Sequence, residues 1–282
     1  RAKLKTLTTA ALTALVCIIL IGCVQGDKRI TLRLKYQPGM KLVYDQTTKS
    51  SWKVTAGDSL IEESSNAYSA DIIFHIVSMS DDSTAEVLDS STWSYQVPSK
   101  ADSTQMETVE HTRVSTLFVQ PDGRYTDLVF SPDEKLSSVT RLKSYFEQGM
   151  PVFPSGELTP GYSWTQTTKV MLPDETMDAS TTYRIKSLAR EAGYDCAVIE
   201  YEGNMIIPVV ATEEKGCLRK GYDKITISGV TYFAYKEGIV VLERQNWLTQ
   251  GHREKTCEGK TDHYLVTTKS DLEFALAAFE RP

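Results

Sequence analysis

The chain has 282 residues, of which 41% are hydrophobic, and its 31 basic and 37 acidic side chains give a formal net charge of −6. A chain of this length can form one large domain or two smaller ones, each with its own hydrophobic core. The acidic balance excludes a general affinity for nucleic acid and argues against membrane attachment through a basic patch.

Residues 1–22 have the pattern of a secretory leader. Arg1, Lys3 and Lys5 precede an apolar run from Ala10 to Ile21, which is too short to remain in a membrane as a spanning helix. The run ends in the sequence Leu-Ile-Gly followed by Cys23. This ending resembles the bacterial lipobox, and the resemblance implies that Cys23 receives acyl groups such as palmitate and becomes the mature N-terminus. The alternative is a plain signal peptide that ends beside an ordinary thiol.

Cleavage before Cys23 would leave 260 residues, with 28 basic and 37 acidic side chains and a net charge of −9. In the lipobox pattern, an aspartate directly after the cysteine favours retention in the inner membrane, whereas this chain has Val24 there. We therefore expect an outer-membrane lipoprotein that faces the periplasm, held by a short lipidated tether over residues 23–29. Its acyl anchor would keep it on the membrane almost permanently, because each buried methylene contributes about 0.8 kcal/mol.

The segment from residue 30 to residue 130 alternates apolar and polar residues in the manner of β-strands. Strands are predicted at residues 30–36, 41–54, 68–79, 84–97, 108–119 and 124–130, and the polar stretch 56–65 is predicted to separate two of them. Between the last two strands, Pro121-Asp122-Gly123 predicts a tight turn, because proline fixes φ and glycine permits a positive φ.

One helix is predicted, from Pro132 to about Gln148. Ser131 and Glu134 fit a capping box, and Gly149 fits the C-terminal end. Its apolar residues form one stripe, made of Leu136, Val139, Leu142, Tyr145 and Phe146. We interpret it as a helix that covers an open sheet, within a linker that spans residues 131–157.

The sequence after this helix repeats the sequence before it. After the Pro-Gly pairs at 38–39 and 160–161, three matches occur in the same order: 44–49 with 164–169, 76–79 with 185–188, and 117–123 with 232–238. They predict a duplication, with a mainly β fold of two consecutive antiparallel meanders at residues 30–130 and 158–282. Residues 263–276 form either a closing strand or a short helix. In this alignment, Phe118 should coincide with Phe233.

This arrangement resembles uncharacterised lipoproteins of Gram-negative envelopes, especially those of the Bacteroidota. The resemblance rests on the lipobox and on two Pro-Gly turns, each followed by an aromatic strand that contains Tyr44 or Trp164. The architecture is also similar, more loosely, to the lipoprotein-localisation factors, whose curved sheet cradles acyl chains under a helix. These resemblances imply an envelope location and no particular reaction.

The cysteines of the mature chain predict one disulfide, because an exported protein can form them. In the hairpin around Gly238, cross-strand partners should have residue numbers that sum to about 473. Cys217 and Cys257 sum to 474, so a small bulge would place them opposite each other. Cys196 would then remain as a buried free thiol.

No catalytic motif is present in the sequence, and we predict no enzymatic activity, no cofactor and no metal site. His252, Cys257 and His263 lie near one another in sequence, but their spacing matches no familiar zinc pattern. No residue in the sequence supports a hydrolase function.

Two classes of function fit the sequence. The first is a non-enzymatic lipoprotein that binds or carries an apolar ligand or an envelope partner on the concave faces of its sheets. Tyr44, Trp164 and Tyr232 are its candidate ligand-binding residues, although most of the 14 tyrosines and 4 tryptophans should lie in the core. The second class is a structural lipoprotein that holds an outer-membrane complex together through exposed strand edges.

Overall fold

The computed structural model describes residues 28–98, 105–130, 136–172, 175–214 and 216–282. It is mainly β, with one antiparallel sheet of eleven strands in the order β5-β4-β3-β2-β1-β11-β10-β9-β8-β7-β6. The strands are β1 Lys41–Ala56, β2 Ser59–Met79, β3 Ala85–Pro98, β4 Met106–Val119, β5 Tyr125–Phe130, β6 Ser163–Met171, β7 Thr176–Glu191, β8 Tyr194–Glu214, β9 Cys217–Ala234, β10 Ile239–Cys257 and β11 Lys260–Glu280. The helix, α1, is Leu136–Gly149 and joins the two meanders.

Residues 30–36 form a strap across one end of the sheet and show how strongly the sheet curls. The backbone N–H of Leu34 donates to Pro121 in the β4–β5 turn, and that of Lys35 donates to Gly238 in the β9–β10 turn. Strands β4 and β9 are six positions apart, which in a flat sheet would separate them by roughly 30 Å. Since adjacent residues lie about 3.8 Å apart, the sheet must be curled into an incomplete barrel.

The helix α1 fits the same geometry. It contacts β8 and also both edge strands, β5 and β6, although a helix is only about 10 Å wide. Within the described residues, β5 and β6 are not paired with each other. The two edges therefore approach α1 from opposite sides without closing the barrel.

The core lies at the strapped end, on the inner face of the sheet. Phe153, in the segment after α1, packs against Phe233 of β9 with ring centroids 4.8 Å apart. Tyr44 of β1 stacks on Phe274 of β11 at 4.1 Å, and Tyr145 of α1 meets Trp247 of β10 at 5.5 Å. Burial of these apolar side chains stabilises the curled form of the sheet.

The strap was predicted to be a strand, and that assignment is wrong. Ile30, Leu32 and Leu34 are buried, as their alternation predicts, but only Ile30 forms a bridge, to Leu158. The strap runs across the hairpin turns instead of along a neighbouring strand, so it has no ladder partner. The predicted break at residues 56–65 is also wrong, because only Gly57 and Asp58 form a turn before β2 begins at Ser59.

The two meanders have the same strand order, with β1–β5 corresponding to β6–β10, and β11 joins them into one sheet by pairing with β1 and β10. The first hairpin of each meander also has equivalent backbone hydrogen bonds at its base. Gly39 donates to Ile76, which donates to Met40, and Gly161 donates to Ile185, which donates to Tyr162. A bulge follows both Ile76 and Ile185.

The expected match of Phe118 with Phe233 is wrong by one residue. Pairing through the two meanders places Val119, not Phe118, at the position of Phe233. The cause is the turn: the N–H of Gly123 bonds three residues back to Gln120, whereas that of Gly238 bonds four residues back, to Ala234. The second turn is one residue longer, so aligning the glycines moves the strand before them onto the wrong face.

The predicted disulfide between Cys217 and Cys257 is confirmed, with Cα atoms 4.4 Å apart. The bulge that it requires lies between Val240 and Leu242, and it shifts the pairing sum from 473 to 474. Cys196 is free and fully buried, and burial raises its pKa to about 11. Its thiol therefore stays protonated and unreactive at neutral pH.

Reduction of this disulfide should lower the free energy of unfolding by about 2 to 4 kcal/mol, because the bridge closes a loop of 40 residues. Urea titration with and without reductant measures the change. Under denaturing, non-reducing conditions, the protein with acylated Cys23 should expose one thiol, that of Cys196. Three reactive thiols would contradict the pairing.

Across the described part of the chain, no helix is both long enough and apolar enough to span a membrane. The predicted helix cap at residues 131–134 lies outside the described residues.

Candidate functional site

The inner face of the sheet, which packs against α1 and the strap, is the candidate functional surface. It changes character along its length. At the strapped end it is filled by the core, whereas toward the far end, where the β1–β2 and β10–β11 turns lie, its side chains become half-exposed. The part of the inner face between these two zones carries both polar side chains and aromatic rings.

A carboxylate network occupies the middle of this face. Oε1 of Glu243 accepts hydrogen bonds from Tyr201 Oη at 2.7 Å, Gln245 Nε2 at 2.6 Å and Thr231 Oγ1 at 3.3 Å. Trp247 extends the network by donating from Nε1 to Gln245 Oε1 at 2.8 Å. Burial raises the pKa of Glu243, and the three hydrogen bonds offset only part of that rise.

Gly229 makes this network possible. It lies directly between Tyr201 on β8 and Gln245 on β10, and a Cβ there would come within 2.5 Å of Tyr201 Oη. The missing side chain lets the tyrosine ring lie over β9 and reach Glu243. A row of rings continues from Tyr201 to Tyr183 at 5.7 Å and then to Trp164 at 5.1 Å.

The other half of the inner face carries a second buried carboxylate, Asp89, which is 2% exposed. It accepts hydrogen bonds from Ser91 at 2.6 Å and Ser115 at 3.2 Å, and Arg113 lies 3.7 Å away. Burial raises the pKa of Asp89 despite these partners. The Arg113 guanidinium lies 4.5 Å from the Trp93 ring, which gives a cation–π contact.

A third carboxylate fastens the helix to the sheet. Asp223 on β9 accepts a hydrogen bond from Arg253 of β10 at 2.5 Å and another from Arg141 of α1 at 3.2 Å. Gly251 provides the space, since a Cβ there would approach the Asp223 carboxylate to 2.7 Å. The helix is therefore held at the inner face by charge as well as by its aromatic residues.

The structure separates the three ligand-binding residues expected from the sequence. Tyr44 is 2% exposed within the core, and its hydroxyl donates to the Val240 carbonyl at 3.0 Å. Trp164 is half-buried against Tyr183 near the sheet edge. Tyr232 neighbours Phe233 in β9 and so lies on the outer face. No surface is shared by all three.

Four other aromatic residues lie on the inner face beyond the core: Trp52, Tyr68, Tyr95 and Tyr264. Three are half-buried, and Tyr95 is 39% exposed. Sequence reasoning missed them. The available signal was their place in the alternation, since Trp52 lies four and eight residues beyond the inward-facing Thr48 and Tyr44 of the same strand.

His252 and His263 are brought near each other at a cleft of about 250 Å³ that is also lined by Tyr222 and Glu254. Cys257 is bonded to Cys217 and cannot act as a metal ligand with them. Among the residues that the structure describes, no group of three or more His, Cys, Asp or Glu side chains is placed to hold a metal ion.

The raised pKa of Glu243 has a consequence for the pH dependence of stability. Because folding favours its protonated form, its contribution is fully present below the unfolded pKa of about 4.3 and is lost as pH rises through the folded pKa. Glu243→Gln stays neutral and should remove this loss. In urea titrations at several pH values, the mutant should gain stability relative to wild type as pH rises. Parallel pH profiles for the two proteins would contradict the assignment.

No protein-family profile matches the sequence, and no curated protein matches it either. Among solved structures, the chain is similar to a Bacteroides fragilis protein that is inferred to be exported and is described as having a YmcC-like fold. The identity is 12%, the match covers 89% of this chain and 100% of that chain, and the TM-score is 0.20. A likeness at these values carries no conclusion about fold or function.

Proposed function

We propose that this protein is a non-enzymatic envelope lipoprotein, anchored in the outer membrane through acylated Cys23, that binds a ligand on the inner face of its incomplete barrel. The leader and its lipobox-like ending support the anchor. The disulfide supports an oxidising compartment, because such bridges persist outside the cytosol. The acidic body suits attachment by acyl chains instead of basic residues.

The position of the strap bears on the orientation of the body. Seven residue steps separate Cys23 from Ile30, which is fixed to Leu158 at the strapped end. A fully extended chain of that length reaches about 25 Å. An anchor at Cys23 would therefore keep the strapped end within about 25 Å of the membrane.

The observation that carries the binding proposal is the group of aromatic residues beyond the core. Trp52, Tyr68 and Tyr264 lie outside the packed core cluster, although each is on the face that the core uses. Aromatic side chains left half-exposed on an inward-curving surface are typical of ligand sites, since they offer apolar area and a polar tip together.

Membrane fractionation tests the anchor. Wild-type protein should be found entirely in the membrane fraction and should carry acyl groups on its N-terminal cysteine by mass spectrometry. Cys23→Ser should abolish acylation and leave an altered, unlipidated product. Wild-type protein that is soluble in the periplasm would overturn this part of the proposal.

Hydrogen exchange tests the ligand site and does not require the ligand to be identified. Protein extracted natively from its membranes should exchange more slowly at residues 48–54 and 264–272 than the same protein after unfolding and refolding, which removes bound molecules. Equal exchange in the two preparations would argue against an occupied inner face.

A second function, assembly of an envelope complex, is favoured by one open strand edge. From Ser59 to Ala67, β2 pairs with β1 alone among the described residues, and Leu60 and Ile61 are 57% and 55% exposed. Open edges of this kind can accept a partner strand. Ile61→Lys should then release the protein from a larger complex in native electrophoresis, whereas a pure ligand carrier would migrate unchanged.

A further inference from the structure

We infer that the ligand of the inner face is a neutral glycan, which is an uncharged polyhydroxylated molecule with ring faces. This inference rests on the proposed binding function and names its substrate class. It differs from the apolar ligand that the sequence suggests, and it follows from what lines the face beyond the core.

The space that a long acyl chain would need at the strapped end is already filled by protein. Phe153 and Phe233, and Tyr44 and Phe274, are in direct ring contact there, and Tyr145 contacts Trp247 further along the sheet, opposite Ser270. Phe233 is fully buried, and Tyr44 is 2% exposed. A ligand must therefore lie beyond this core, on the half-exposed part of the face.

That part of the face is rich in hydroxyl groups. On β1 and β11, Ser50 and Ser270 bond to each other through their Oγ atoms at 2.8 Å, and both are half-buried. Further inward hydroxyl and amide side chains on this part of the central strands and of β10 include Ser64, Asn66, Thr249 and Thr268. An acyl chain would desolvate these groups without offering hydrogen bonds, at a cost of about 1 to 3 kcal/mol for each group left unpaired.

Charge lies at the margins of this surface, where Glu62 of β2 is opposite Val54 and Arg253 of β10 is opposite Tyr264. The inward positions of β1 over residues 46–54, of β2 over 64–74 and of β11 over 264–276 carry no charged side chain. The outward positions of the same ranges carry six: Lys49, Lys53, Asp71, Lys269, Asp271 and Glu273. This contrast excludes recognition of a strongly charged ligand by the central strands.

Aromatic rings and hydroxyls in combination fit sugar rings. The C–H face of a pyranose can pack on Trp52 or Tyr264, while its hydroxyls exchange hydrogen bonds with serine, threonine and asparagine side chains. Tyr68 and Tyr95 lie directly opposite each other on β2 and β3 and extend the aromatic surface across the sheet. A linear glycan could therefore contact several rings in succession.

Binding of defined probes tests this inference. The full mature chain in detergent is titrated with maltohexaose, cellohexaose and chitohexaose, and separately with the fluorescent fatty acid cis-parinaric acid, while tryptophan fluorescence is recorded. At least one oligosaccharide should bind, and Trp52→Ala or Tyr264→Ala should weaken its binding at least tenfold. Tyr162→Ala is the matched control, because Tyr162 is 41% exposed but precedes β6 at the strapped end. The affinity of this control variant should equal that of wild type.

Thermal melting of each variant separates loss of binding from loss of folding, and Trp52→Phe should restore most of the affinity. Oligosaccharide binding that persists in both Trp52→Ala and Tyr264→Ala would overturn the site. Binding of cis-parinaric acid alone would overturn the glycan inference and leave the binding function intact. Binding of neither kind of probe would count against both.

Discussion

Replacing Phe233 with alanine should lower the free energy of unfolding by about 3 to 5 kcal/mol. The side chain is fully buried and contacts the ring of Phe153, which belongs to the segment that follows α1. Truncation would leave a cavity between the sheet and this segment, and rigid strands on both sides of β9 prevent the cavity from collapsing. Equilibrium unfolding in urea measures the loss.

Phe118→Ala is the matched control for this substitution. Phe118 is half-buried on the outer face, opposite Glu86 and Asp127 on the neighbouring strands. Its truncation should cost about 1 kcal/mol, because less apolar area is lost and no enclosed cavity forms. Equal losses for the two variants would mean that the two phenylalanines are equivalent, as the alignment of the sequence repeats suggests, and would contradict the shifted register.

Gln148→Ala should cost about 2 to 4 kcal/mol. The side-chain amide of Gln148, on α1, donates to the Ile206 carbonyl at 2.7 Å and accepts from the Ile206 N–H at 2.8 Å. These two bonds take the place of strand pairing at Ile206, because β7 pairs with β8 only as far as Gly203. Its removal leaves two buried backbone groups unpaired, each at a cost of about 1 to 3 kcal/mol.

The control for this substitution is Glu147→Ala. Glu147 neighbours Gln148 on the helix but has an exposed side chain, so its loss should change stability by less than about 0.5 kcal/mol. Urea titration gives both values, and hydrogen exchange at the Ile206 amide locates the effect. Unchanged protection of that amide in Gln148→Ala would contradict the role given to the glutamine.

Local patterns in the sequence predict much of this fold. The alternation of apolar residues and the Pro-Asp-Gly turn place β4 and β5 closely, and pairing arithmetic around Gly238 places Cys217 opposite Cys257. These predictions are correct because each depends only on neighbours along one strand or across one hairpin. The same is true of α1, whose stripe and terminal glycine lie within one segment.

Features that depend on distant parts of the chain are not predicted. The alternation of Ile30, Leu32 and Leu34 shows which side chains are buried, but it cannot show that their partners are hairpin turns instead of a strand. The far half of β2 has few apolar residues because solvent reaches both of its faces, so the pattern expected of a half-buried strand is missing there. An alignment that matches Gly123 with Gly238 also does not detect that the second turn is one residue longer.

The candidate site illustrates the same limit. Glu243 follows the apolar run Ile239–Leu242 in sequence, and a bulge at Val241 determines that it faces inward. Its partners Tyr201 and Thr231 are 42 and 12 residues away. Trp52 and Tyr264 come from strands at opposite ends of the chain, which meet only because β11 pairs with β1. No local pattern brings these residues together.

Native mass spectrometry of the protein, extracted gently from the membranes of the cells that make it, tests the binding function most directly. We predict a population whose mass exceeds that of the acylated polypeptide by a bound ligand, and that this population disappears in Trp52→Ala. If the wild-type protein and Trp52→Ala both show only the mass of the acylated polypeptide, the proposed binding function is contradicted.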